Sequence, residues 1–286
     1  MATAKRAITD TLALPNSPVR IPQLGFGVYK SPKTVCKASC LEALRVGYRH
    51  IDTAQYYENE EEVGQALIQS GLGRQDVFIT TKILTPGKDV AETYTKCAES
   101  ASLLGGYVDL FLIHSPSGGA QARRMMWKAL EQLADERKAK AIGVSNYGIA
   151  HIEEMKEFAK VWPPHVNQIE LHPWTQQRET VKYCNSHGIV VEAYCPIVRN
   201  RKAHDSTLVG IAARCGATPN QVLIRWCLQR GLVPLPKSDN PERIKLNADV
   251  YGFEISEKDM ETLNGLDEGE AGALVASVEK YASKLS

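Results

Sequence analysis

The chain has 286 residues, 43% hydrophobic and 23% charged, with 34 Lys and Arg against 33 Asp and Glu for a net charge of +1. That even balance leaves no electrostatic footprint for a nucleic-acid backbone or an anionic membrane, and no apolar run approaches the roughly 20 residues that span a bilayer. The opening MATAKRAITD lacks the apolar core of a signal peptide, so a soluble, cytoplasmic protein with neither nucleic acid nor membrane as partner is expected. The seven cysteines are dispersed and form no CxxC pair, which reads as free thiols in a reducing compartment. Cys36 with Cys40, and Cys184 with His187, lie in helical patterns of Ala, Leu and Val; they read as buried small groups and not as metal ligands.

In chain order, AITDTLAL, PNSP and VRIP suggest a hairpin. Eight β-branched or apolar runs follow: QLGFGV (23–28), RHID (49–52), VFITTK (77–82), VDLFLI (108–113), AIGVS (141–145), VNQIE (166–170), IVVEAY (189–194) and LVPLPK (232–237). Between them, apolar residues recur at i, i+3, i+4 and i+7, the spacing of one helix face. Val63 to Ser70 stops at Gly71, and Val90 to Leu104 stops at Gly105, glycine being the usual residue after a last helical turn. Further helices are predicted over about 33–46, 121–136, 149–160, 177–187, 206–215 and 218–229, the last with Thr218 as cap and Pro219 at the first helical position.

Alternating strands and helices imply a parallel sheet, because each parallel strand needs a crossover. Eight units favour closure into a (β/α)8 barrel of the α/β class, with an open doubly wound sheet as the competitor. A doubly wound dinucleotide fold should carry GxGxxG after its first strand; Gly25-Phe26-Gly27 and Gly71-Leu72-Gly73 both lack the third glycine. No linker or shift in composition divides the chain, so one domain over 1–286 is expected.

In a parallel barrel, catalytic groups gather at the carboxyl ends of the strands. Three consecutive strands end in an ionisable residue: Asp52, Lys82 and, just beyond VDLFLI, His114. A Lys after VFITT is partly withdrawn from water and needs a counter-charge, which Asp52 on the neighbouring strand can supply. Tyr57 lies five residues after Asp52, and a neighbouring ammonium is expected to lower its phenol below the ordinary value of about 10. Singly, each has an ordinary structural role: a satisfied His, a snorkelling Lys, a turn-capping Asp. Together they suit delivery of a proton to a developing alkoxide.

The stretches GFGVYKS, YRHIDTAQYYENEEEVG, VFITTKI, DLFLIHSP, KAIGVSNYG, VNQIELHPW, VVEAYCPI and VPLPKSDNPERI resemble, in order and spacing, the aldo-keto reductase superfamily, from about residue 18 to residue 265. The resemblance implies a barrel that binds NADPH without a Rossmann fold and reduces a small carbonyl substrate, an aldehyde, ketone or α-dicarbonyl. Carried over, Tyr57 is the general acid, Lys82 and Asp52 tune it, and His114 orients the carbonyl oxygen. Ser145, Asn146 and Gln168 hold the nicotinamide carboxamide, and Tyr194 stacks on the ring. Asn240 can cap a helix opened by Pro241, a natural anion site, to which Lys237, Ser238 and Arg243 add two cations and a hydroxyl. By resemblance these take the adenosine 2′-phosphate, and Asn247 keeps a further cofactor-motif position.

The chain also departs from the family. Leu246 stands where a Glu often clasps the adenine, and Cys195 replaces the usual Ser after Tyr194. Ser115 follows His114 where many relatives carry Trp, and the tail is short, which suggests an open pocket walled by Tyr29, Tyr56, Ser115 and Trp174. His50 and His172 read as structural. Two other functions compete: a redox-sensing NADPH-binding regulatory subunit, which the intact Asp52, Tyr57, Lys82 and His114 set argues against, and a Schiff-base aldolase, in which a salt-bridged Lys82 is a poor nucleophile. No apolar stripe is left over beyond helix packing, so a monomer is expected.

Overall fold

The computed structural model describes residues 7–282. Thr11–Ala13 (β1) and Arg20–Pro22 (β2) pair antiparallel with Thr11 opposite Pro22. Eight parallel strands follow in sheet order: Phe26–Gly27 (β3), His50–Asp52 (β4), Phe78–Ile83 (β5), Val108–Ile113 (β6), Ala139–Ser145 (β7), Val166–Glu170 (β8), Val190–Tyr194 (β9) and Val233–Leu235 (β10). The two ends of that sheet meet, because Gly25 N–H donates to Pro234 O at 3.1 Å and Gly27 N–H to Pro236 O at 3.0 Å. Gly25 allows the approach: a Cβ there would collide with the Leu235 and His50 side chains.

Helices Lys33–Arg45 (α1), Glu60–Gln69 (α2), Val90–Leu103 (α3), Gly119–Asp135 (α4), Ile149–Glu154 (α5), Arg178–Ser186 (α6), Ser206–Cys215 (α7) and Pro219–Gln229 (α8) connect the strands, and Pro241–Ala248 (α9) and Glu257–Asn264 (α10) follow β10. Side-chain oxygens of Asp89, Asp205, Thr218, Asn240 and Ser256 accept N–H groups in the first turns of their helices, each worth about 1 kcal/mol. Cys36, Cys40, Cys97, Cys184 and Cys227 are buried free thiols that pack between sheet and helices.

Three boundaries differ from expectation. The end runs 23–28 and 232–237 form regular strand only over β3 and β10; where they meet, the bonds run one way, from Gly25 and Gly27 to Pro234 and Pro236, which have no N–H to return. The helix expected over 149–160 ends at Glu154 and tightens into a 3-10 turn over Met155–Glu157. α2 starts three residues ahead of its apolar repeat, at Glu60, whose buried carboxylate accepts from the Thr81 and Ser100 hydroxyls.

Side chains two apart share one face of a strand, so the barrel interior can be read in layers. Leu110, Leu112 and His114 climb one strand, and Val166, Gln168 and Glu170 another; Phe78, Thr80 and Lys82 climb a third. The lower, apolar members join Leu14 and Ile21 of the hairpin in one cluster that plugs the amino-terminal end. The upper members are polar, which concentrates chemistry at the opposite rim. No described helix is long and apolar enough to cross a membrane, and no group of three or more metal-ligating side chains occurs among the described residues.

Candidate active site

β4 and β5 run side by side, and their rim-facing residues meet. Lys82 is fully buried; its Nζ donates to Asp52 Oδ1 at 2.7 Å, Asp52 Oδ2 at 2.8 Å and Thr53 O at 2.9 Å. A buried ammonium is tolerated only when so paired. Its remaining contact is Tyr57 Oη at 3.3 Å. Tyr57 lies in the 3-10 turn Gln55–Tyr57 after β4, with its ring 4.9 Å from that of Tyr29 and 5.5 Å, edge-on, from that of His114.

The expected lowering of the Tyr57 phenol is reversed. Burial, and next the Asp52 carboxylate, push it well above its ordinary value, because Asp52 already matches the Lys82 charge. Tyr57 therefore keeps its proton at neutral pH, as a donor must. Burial, and then Lys82, press the His114 imidazole down to about 3, so it stands neutral beside the phenol.

A second chain of contacts runs along the rim. Ser145 Oγ donates to Gln168 O at 2.8 Å, Asn146 Nδ2 donates to His114 O at 3.0 Å and Ser145 Oγ at 3.1 Å, and Tyr194 Oη donates to Asn146 Oδ1 at 2.8 Å. Gln168 Nε2 donates downward to Asp52 Oδ2 at 2.8 Å and Glu192 Oε2 at 2.7 Å. Both amide protons are thereby used, and Oε1 is the amide atom left for a ligand above.

Asp52, Tyr57, His114, Ser145, Asn146, Gln168 and Tyr194 line one cavity of about 570 Å³, which also reaches Lys237, Ser238, Arg243 and Asn247. Lys237 Nζ is paired with Asp239 and donates to Lys30 O at 3.4 Å. Asp239 in turn accepts from Ser31 Oγ at 2.5 Å and Ser39 Oγ at 3.0 Å, tying the loop after β3 to the loop after β10. Asn240 Oδ1 caps α9 by accepting Arg243 N–H at 3.0 Å. Tyr29, Tyr56 and Ser115 also line the cavity. Leu246 is exposed, and Cys195 faces the cavity with its thiol pushed up to about 11 by burial, hence protonated.

Of the sixteen residues singled out in the sequence, two do not line the cavity: Lys82, which reaches it through Tyr57, and Trp174. Trp174 lies buried in the turn bridged by His172 and Thr175, beneath Gly272, where any Cβ would collide with its carbonyl. It supports the tail and does not wall the cavity. His50 and His172 are fully buried; His50 Nε2 lies 2.9 Å from Thr80 Oγ1 and His172 Nε2 3.1 Å from Glu170 Oε1. Sequence reasoning passed over Lys30, Leu84, Ser117, Arg199, Asn220 and Tyr281, all of which line the cavity. Lys30 follows the quoted GVY and had a visible signal; Arg199 and Asn220 sit where no periodicity marks them.

A larger concavity of about 770 Å³ lies at the opposite, amino-terminal face. It contains none of these groups, and its Asp109 is saturated by Arg74 and Lys140, both at 2.9 Å.

A family model described as the Aldo/keto reductase family matches residues 25–268. The chain is 38% identical over 266 residues to the glyoxal reductase of Bacillus subtilis, covering 92% of this chain and 95% of that protein. It is 40% identical over 264 residues to the 9,11-endoperoxide prostaglandin H2 reductase of Trypanosoma cruzi, covering 91% and 92%. The crystal structure of an aldo/keto reductase from Brucella melitensis superposes with a TM-score of 0.86 at 38% identity, covering 91% of this chain and all of that one. The layered barrel, its polar rim and these likenesses together make the chain a member of the aldo/keto reductase family.

Proposed function

We propose that the protein reduces small aldehydes, ketones or α-dicarbonyls to alcohols with NADPH. The observation that carries this reading is the buried Lys82 ammonium held between Asp52 and the Tyr57 hydroxyl, with neutral His114 beside it. A nicotinamide coenzyme bound in the cavity supplies hydride to the carbonyl carbon. Tyr57 Oη gives its proton to the carbonyl oxygen, and the buried Lys82 ammonium stabilises the phenolate as it forms. Asp52 holds Lys82 in place, and His114, neutral and edge-on to Tyr57, orients the carbonyl oxygen.

The rim fits the coenzyme. Gln168 offers an acceptor through Oε1, while Ser145 and Asn146 add hydroxyl and amide groups matched to a carboxamide. Tyr194 presents a ring held by its hydroxyl, and Lys237, Ser238 and Arg243 gather at the start of α9, a helix N-terminus that favours anions. A 2′-phosphate there separates NADPH from NADH. The relative named a glyoxal reductase supports α-dicarbonyls as one substrate class.

The test follows NADPH absorbance with an activated aromatic aldehyde, beside NADH, for the wild type and Arg243→Ala. Charge-assisted contacts of about 1.5–3 kcal/mol predict that Arg243→Ala lowers the NADPH-to-NADH ratio of kcat/KM by about tenfold to a hundredfold. An unchanged ratio removes the phosphate assignment, and coenzyme binding without turnover turns the reading toward a regulatory subunit.

A further inference from the structure

Glu192 is the middle residue of β9, two positions below Tyr194 and on the same interior face. It is fully buried and has no place in the proton transfer described above. Gln168 Nε2 is shared between Glu192 Oε2 at 2.7 Å and Asp52 Oδ2 at 2.8 Å, so one amide separates Glu192 from the carboxylate that pairs with Lys82. The other oxygen, Oε1, has no hydrogen-bond partner and lies 3.6 Å from His50 Nε2.

The groups that bear on Glu192 come from every neighbouring strand. β4 contributes Asp52 and His50, β5 contributes Lys82, with Thr80 beyond His50, and β8 contributes Gln168; the register partner on β10 is the neutral Val233. Burial presses His50 down to about 3, so that ring is neutral. Among the described residues Lys82 is then the one cation that bears on Asp52 and Glu192 together, and Asp52 takes both of its carboxylate contacts. Burial first, and then Asp52, push the Glu192 carboxyl up to about 8. At neutral pH it carries its proton, so of Asp52 and Glu192 only Asp52 is an anion beside the Lys82 cation.

We propose, on the carbonyl-reduction reading above, that Glu192 is a positioning residue. Through the amide it shares with Asp52, it holds the Gln168 carbonyl toward the coenzyme side of the cavity and limits the negative charge beneath Tyr57. Acceptors on both protons of Nε2 pin the amide at two points; without Glu192 only the Asp52 contact remains, and the Gln168 amide can swing about that one bond so that its carbonyl is no longer held toward the cavity. When Glu192 loses its proton, a second anion lies below Tyr57 and Lys82 is overmatched. Tyr57 becomes a weaker acid, and reduction slows as pH rises.

The experiment compares the full-length wild type with Glu192→Gln and Glu192→Leu. Three readouts are used: coenzyme Kd by quenching of protein fluorescence, kcat for aldehyde reduction from pH 6 to 9.5, and the infrared carbonyl stretch of buried carboxylic acids. Glu192→Gln keeps an acceptor for Gln168 but cannot ionise, so the wild-type fall in kcat through about pH 8 should flatten while Kd stays within about twofold. Glu192→Leu removes the acceptor, and NADPH Kd should weaken about fivefold to tenfold at every pH, the effect of one lost hydrogen bond. The wild type should show an acid carbonyl band that titrates away at alkaline pH and is missing in Glu192→Gln.

An identical alkaline fall in wild type and Glu192→Gln overturns the charge role, and wild-type Kd in Glu192→Leu overturns the orientation role. If Glu192→Leu does not fold, Glu192→Gln decides both, a Kd weakened more than about twofold counting against the orientation role. A wild type that binds neither NADPH nor NADH defeats the functional reading and with it the positioning role, while a band that titrates only in wild type still identifies Glu192 as the proton-bearing acid.

Discussion

The rim carries two buried carboxylate clusters that begin from equivalent interior positions and end in different roles. Glu170, at the top of β8, accepts His172 Nε2 at 3.1 Å and the N–H groups of Leu274, Val275 and Ala276 at 2.7, 2.8 and 3.0 Å. Burial alone would raise its carboxyl, but His172 and those three N–H groups together bring it below its ordinary value. Gln177 adds to the strap, with Nε2 donating to Glu170 O at 2.6 Å and Oε1 accepting Val278 N–H at 2.8 Å. Asp52 is held instead by side chains, Lys82 and Gln168, and Lys82 leads on to a phenol at the cavity. A carboxylate tied by backbone N–H groups fastens chain to chain. One tied by an ammonium passes its influence to a hydroxyl that a ligand can reach.

That contrast predicts opposite profiles for activity and stability. Tyr57→Phe removes the proposed donor and one hydroxyl contact to an ammonium that keeps three other hydrogen bonds, to Asp52 and Thr53. Reduction should fall about 10²- to 10⁴-fold with Tm nearly unchanged; retained turnover would place the proton elsewhere. Glu170→Ala strands three N–H groups and leaves the tail without its anchor. It should cost about 3 kcal/mol, read as a lower midpoint in urea, and raise KM more than it lowers kcat, because Val275 and Tyr281 of that tail line the cavity. A Glu170→Ala variant with wild-type stability and lost turnover would erase the distinction between the two clusters.

Much of the first cluster was legible because it is local. Asp52, Lys82 and His114 each sit at the end of an apolar run, and strand parity turns them to one interior face. The caps at Thr218 and Asn240 were equally readable, since each pairs a side chain with an N–H three residues on. The Asp52–Gln168 contact joins residues 116 apart and exists only once the barrel closes, so the link onward to Glu192 left no local signal. The Glu170 strap joins residues more than 100 apart, so nothing local in the short tail announced it. Trp174 misled for the same reason: its fate depends on Gly272 descending onto it, and nothing in ELHPW announces that. The rise in the Tyr57 phenol was missed because an adjacent ammonium is visible in a sequence, whereas the packing that withdraws the hydroxyl from water, and the Asp52 charge beside it, are not.

The measurement that tests the central claim most directly follows a label. NADPH carrying deuterium at the transferred position of nicotinamide C4 is turned over with an aromatic aldehyde, and the alcohol is analysed by mass and by proton NMR. The account predicts one deuterium on the carbinol carbon in the wild type and no labelled product from Tyr57→Phe on the same timescale. Alcohol formed without deuterium, or formed equally fast without Tyr57, would contradict it.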